Sequence, residues 1–113
     1  MSPITTHVLD TSRGQPAQGI GVTLEIQSAG AWRELSRRAT NADGRVTDLV
    51  SDAAKLEKGF YRLIFETGAY FRAQGIASFH PRISVEFEVR EPAQHHHVPL
   101  LLSPFGYTTY RGS

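Results

Sequence analysis

The side chains best suited to chemistry near neutral pH are five histidines, His7, His80, His95, His96 and His97. An imidazole titrates near pH 6.5, so it both takes and returns a proton, and it ligates metals. In "HHHVPLLL" an extended backbone puts His95 and His97 on one face, about 6.5–7 Å apart, and His96 on the other. Two imidazoles side by side bind a metal or share a proton, although the polar face of a half-exposed strand has the same pattern. His7 sits mid-strand in "THVLD" and shares a face with Leu9, where a lone histidine is more often a packing residue. His80 precedes Pro81 and reads as a surface loop residue. Arg45 follows the turn "NADG" and offers a rigid fork of donors, though an arginine at a strand start is usually solvated. Tyr110 and Ser113 bring hydroxyls in "TTYRGS"; Tyr110 shares a face with Thr108, and strand packing would account for it equally.

These side chains need a scaffold, and its signal is period-2 hydrophobicity bounded by turn residues. "THVLD" is a first strand, stopped by the loop "SRGQPAQG". "VTLEIQ" alternates with Val22, Leu24 and Ile26 inward, and "SAG" turns it into "AWRELSRRAT", where Trp32 is expected to cover one end of the core. "RVTDLV" follows the turn, "GFYRLIFET" is the most apolar and most central strand, and "ISVEFEVR" points Ile83, Val85, Phe87 and Val89 inward. "HHHVPLLL" and "GYTTYRGS" close the series across "SPFG". One segment breaks the period: in "TGAYFRAQG" Thr67 is placed to cap a short helix and Gly75 to end it. The expectation is an all-β two-sheet sandwich of about eight strands, with one short helix between the fifth and sixth.

Composition narrows the function classes. A chain of 113 residues fits one domain, 1–113, and buries roughly 65% of its unfolded surface. It has no cysteine, which excludes disulfides and thiolate metal sites. A net charge of +1 leaves no footprint for nucleic acid or an anionic membrane. "VPLLL" is too short to span a bilayer, and "MSPITTHVLD" lacks the form of a secretory signal, so a cytoplasmic location is expected.

Three blocks together resemble the transthyretin-like family, in its enzyme branch, the 5-hydroxyisourate hydrolases. They are "THVLDTSRGQPAQG" (6–19), "TNADGR" (40–45) and "HHHVPLLLSPFGYTTYRGS" (95–113). The terminal Y-R-G-S is the most specific, because the hormone-carrying transthyretins keep neither it nor the histidines and arginine. The resemblance assigns His7, Arg45 and His97 to catalysis, with His7 and Arg45 also binding substrate. It assigns Tyr110 and Ser113 to the substrate pocket. One departure is visible: His96 stands where the family usually has an aromatic, commonly tyrosine.

The resemblance implies hydrolysis of a ring amide of 5-hydroxyisourate to 2-oxo-4-hydroxy-4-carboxy-5-ureidoimidazoline, with no cofactor or metal. It also implies a homotetramer whose sites lie where subunits meet, and a terminal tetrapeptide that lines the pocket and tolerates no tail. Three other readings compete: a carrier of flat ligands on the same fold, a metal-binding module built on His95 and His97, and a generic interaction sandwich.

Overall fold

A computed structural model describes residues 2–51 and 56–113. Among the described residues, nine strands form two sheets. The first sheet holds β1 (Ile4–Asp10), β2 (Gln15–Pro16), β5 (Arg45–Val46), β8 (His96–Leu102) and β9 (Tyr107–Thr109). The second holds β3 (Gly21–Ser28), β4 (Ala31–Ala39), β6 (Gly59–Phe65) and β7 (Ile83–Val89), in the order β4-β3-β6-β7. The expected sandwich and its alternation are borne out. The extra strand is Gln15–Pro16, inside the presumed loop, which pairs with Leu9 and Asp10.

Alternation divides each strand between the core and an outer face. Ile4 and Val8 of β1 and Val98, Leu100 and Leu102 of β8 meet Val22 and Leu24 of β3, Leu63 and Phe65 of β6, and Ile83 and Val89 of β7. Each fully buried aliphatic of this kind contributes about 1.5–3 kcal/mol. By parity, Thr5, His7 and Leu9 on β1, and His97, Pro99 and Leu101 on β8, face away from the core.

One pairing fixes what that outer face can hold. Every ladder is antiparallel except β1 with β8, which run parallel with Thr5 beside His97 and His7 beside Pro99. Thr6 locks the register from the core side by donating its hydroxyl to the Val98 carbonyl at 2.6 Å.

The helix α1 (Thr67–Arg72) lies where the sequence places it, between β6 and β7. Its start differs from expectation: Glu66 is the cap residue, and the buried Thr67 hydroxyl makes no capping bond. Its end agrees, because Gly75 N–H donates to Arg72 and Ile76 N–H to Phe71 in a Schellman arrangement. Tyr70 ties the helix to β1 by donating to the buried Asp10 carboxylate at 2.8 Å.

Three other expectations are corrected. "RVTDLV" is a strand only over Arg45–Val46, because only those residues lie opposite β1. "GYTTYRGS" leaves the ladder after Thr109 and rejoins it at Gly112, opposite His97. Trp32 does not cap the core. It lies on the outer face of the second sheet under the Arg62 guanidinium, 4.3 Å from the ring centre, and Arg62 also pairs with Glu25 at 2.6 Å.

Candidate active site

The parallel β1–β8 pair brings the two ends of the chain together on one outer face. β1 supplies Thr5 and His7, β8 supplies His97, and β5 supplies Arg45, which lies directly opposite His7 in the ladder. The turn before β5 sets that register. Asn41 Oδ1 accepts from the N–H groups of Asp43 (2.9 Å) and Arg45 (3.0 Å), and Gly44 N–H donates to the Asn41 carbonyl. Gly44 has φ +75°, and a Cβ there would run into the Val8 carbonyl, so two separate constraints require glycine. Its own carbonyl accepts from Val8 N–H at 2.7 Å, one residue from His7.

His97 is held on both edges. Its Nδ1 lies 2.7 Å from the Thr5 hydroxyl. On the Cδ2 edge, Gly112 approaches so closely that a Cβ would stand 2.6 Å from Cδ2, and Gly112 N–H donates to the His97 carbonyl at 2.8 Å. The ring therefore presents Nε2 outward. The same Thr5 hydroxyl lies 2.9 Å from His95 Nε2, and the two imidazole centres are 6.3 Å apart, tilted by 30°. The expected face-sharing of His95 and His97 is thus observed, although β8 begins only at His96.

Burial lowers the pKa of His97, and the charges of Arg45, His95 and His7 lower it further, against an opposing contribution from the Thr5 backbone. Burial followed by the Arg45 charge lowers the pKa of His7, while the Asp43 backbone and carboxylate oppose it. Both imidazoles are therefore neutral at pH 7, beside a permanent cation. Such a surface takes a proton from water and holds an oxygen that becomes negative.

The remaining expected residues lie at the rim. Tyr110 is 55% exposed and lines a cleft of about 220 Å³ between β7 and β9, together with His97, Phe87 and Arg111. Ser113 is exposed, one residue beyond the Gly112–His97 contact. His96 faces the core, as its parity requires, and is 5% exposed with no hydrogen-bond partner for Nδ1 among the described residues. His80 is half-buried rather than a free surface residue, edge-on to Phe79 and Tyr107. Among the described residues, no group of three His, Cys, Asp or Glu side chains is arranged to hold a metal ion.

Sequence reasoning passed over Thr5. The available signal was its position two residues before His7, on the same face, but a threonine in a strand needs no further explanation.

Comparison with known proteins fits this geometry. The family model "HIUase/Transthyretin family" matches residues 4–112. The 5-hydroxyisourate hydrolase of Mus musculus is 46% identical over 114 residues, covering 99% of this chain and 96% of that protein. The structure of Klebsiella pneumoniae 5-hydroxyisourate hydrolase superposes with a TM-score of 0.84 at 39% identity, covering 97% of this chain and 92% of the other. Sea bream transthyretin in complex with thyroxine superposes with a TM-score of 0.90 at 33% identity, covering 97% and 94%. A 5-hydroxyisourate hydrolase and a thyroxine-bound transthyretin thus share this backbone, and fold alone does not separate what they do. The chain belongs to the HIUase/Transthyretin family.

Proposed function

We propose that the chain is an enzyme that hydrolyses 5-hydroxyisourate to 2-oxo-4-hydroxy-4-carboxy-5-ureidoimidazoline. One observation carries the reading: His7, His97 and Arg45 share one outer face, with both imidazoles held neutral beside the guanidinium. The hydrolase relatives at 39–46% identity support it. The thyroxine-bound transthyretin backbone superposes slightly better, but backbone likeness does not discriminate here, whereas two neutral imidazoles beside a guanidinium suit proton transfer, which binding alone does not need.

In the mechanism, Arg45 holds the carbonyl-rich ring and stabilises the oxyanion as the amide carbon becomes tetrahedral. One imidazole removes a proton from the attacking water, and the protonated ring returns it to the leaving ring nitrogen. His7 and His97 share these roles, and on this reading the outward Nε2 of His97 takes the first. Tyr110 and Ser113 orient the ring or the water from the rim. A homotetramer completes the proposal, with a second copy closing the open face, as does a cytoplasmic location. Cell fractionation and sedimentation test these two points, and a fully active monomer would contradict the first.

The decisive experiment generates 5-hydroxyisourate with urate oxidase and follows its ultraviolet decay with and without the protein. Acceleration that persists in a chelator is expected. His97→Asn should lower the rate by about 10²-fold or more with the fold intact. No acceleration by the wild type, or full turnover by the variant, would overturn the reading.

A further inference from the structure

The Thr5 hydroxyl lies within hydrogen-bond distance of two ring nitrogens at once, His97 Nδ1 at 2.7 Å and His95 Nε2 at 2.9 Å. A hydroxyl carries one proton. When Thr5 donates to one imidazole it must accept from the other, so the two rings hold opposite protonation at the nitrogens that face it. A hydroxyl also has two lone pairs, but accepting from both rings would leave the proton of the buried Thr5 without an acceptor among the described residues, so two arrangements with neutral rings satisfy every group. In the first, His97 Nδ1–H donates to Thr5 and Thr5 donates to His95 Nε2, which leaves the outward Nε2 of His97 with a free lone pair. In the second, His95 Nε2–H donates to Thr5 and Thr5 donates to His97 Nδ1, which puts the proton of His97 on Nε2 and removes its basicity there.

We propose that Thr5 is a positioning residue that couples the tautomer of His97 to the protonation of His95: a free lone pair on His95 Nε2 goes with the base-competent Nδ1–H form of His97, and a proton added at that nitrogen reverses the relay. This deepens the hydrolase reading and rests on it for its catalytic part, but the tautomer itself exists without substrate. A flipped ring would turn Cδ2 toward Thr5 and forfeit the hydrogen bond at Nδ1, so the relay also selects the orientation of the ring. When His97 Nε2 takes a proton from water, Nδ1–H keeps its acceptor, so the imidazolium is stabilised without any proton crossing Thr5. The Thr5 backbone, which favours protonation of His97, works in the same direction.

The charged and titratable groups around this relay come from every neighbouring element. Arg45 on β5 and His7 on β1 act on His97, while Asp43 in the preceding turn acts on His7. Arg111, in the segment after β9, reaches the Gln94 side chain (3.1 Å) and the His95 carbonyl (3.4 Å). His95 is exposed while Thr5 is buried, so solvent protons reach the relay from the His95 end.

The test uses the full chain with ¹⁵N-labelled histidine, and reads Nδ1 and Nε2 of each ring by long-range ¹H–¹⁵N correlation at pH 8. The Nδ1–H tautomer is expected for His97 in the wild type. Thr5→Val should lose that preference and Thr5→Ser should restore it. A wild-type His97 found as Nε2–H, or a Thr5→Val spectrum with His97 unchanged, would overturn the proposal whether or not the protein hydrolyses anything. In turnover, Thr5→Val should lower kcat at least about tenfold with KM nearly unmoved, since a wrong tautomer acts on the chemical step. His95→Gln keeps an acceptor for Thr5 but does not titrate, so the acid limb of its kcat–pH profile should move to lower pH. A profile identical to the wild type would refute the role of His95. Inactivity of the wild type, with the expected tautomers present, would instead remove the hydrolase reading and leave the relay.

Discussion

An imidazole is a base only while it is uncharged, and at this site one neighbour does two jobs for that reason. In the proposed mechanism the Arg45 guanidinium stabilises the substrate's developing charge, and it also depresses the pKa of both His7 and His97, second to burial. Both folded values lie below the ordinary 6.5, so both rings remain basic through neutrality and the rate should hold flat from about pH 6.5 to 8. Arg45→Met removes the cation, so the imidazoles bind protons more readily. The acid limb of kcat/KM should move to higher pH, in addition to a loss of about 10²–10³-fold in rate. A pH–rate profile of the variant checks both, and a loss of rate without movement of the limb would detach Arg45 from the histidines. The readability of the site differed by residue. His7, Arg45 and His97 were legible because each unremarkable signal occurs within one family pattern. Thr5 was not, because its meaning depends on the strand beside it, and no local pattern specifies that register.

At the scale of elements, the site is built by one turn and one parallel ladder. The turn was readable, since Asn41, Asp43 and Gly44 are the residues a tight reversal demands. What could not be read was that Gly44 also lets the turn dock against Val8, and so carries Arg45 to its place opposite His7. Gly44→Ala meets a left-handed φ and a backbone carbonyl together. It should lower stability by about 2 kcal/mol or more and cost activity beyond the unfolded fraction, because the turn must recede from β1. Chemical denaturation beside turnover measures the two losses; a variant of normal stability and rate would show that the turn adapts. Strand lengths were overread at β5 and β9 because alternation continues beyond the pairing that defines a strand. Trp32 was misplaced because β4, an edge strand, keeps no clear apolar face. Parity after the β-bulge at Leu24 and Glu25 then turns its ring outward.

For the molecule as a whole, His96 is the clearest liability. It occupies a core position, buried to 5% exposure, and burial first and Arg111 second lower its pKa. The folded state therefore resists a proton that the unfolded chain accepts near its ordinary value of about 6.5. Below that pH the unfolded state binds more protons, so stability falls as pH falls. His7 and His97 add to the slope in the same sense. His96→Phe should leave Tm at pH 7.5 within a few degrees and reduce its drop by pH 5.5, as thermal melts would record. An unchanged drop would assign acid sensitivity elsewhere. The large exposed rings, Phe79 at 72% and Phe105 at 70%, are apolar surface open to a partner copy. The two-layer architecture was legible from alternation alone, but the pairing of the first long strand with the next to last was not.

That pairing gives the protein an order of events in time. Thr5 and His97 are separated by 92 residues, with the whole second sheet and the helix between them. Contacts this distant in sequence close late, after the local hairpins have formed. A growing or refolding chain is thus expected to complete β3, β4 and β6 while β1, already beside β2 and β5, still lacks β8. On that order His97 joins the proposed site last, when β8 docks beside a β1 that already carries His7 opposite Arg45.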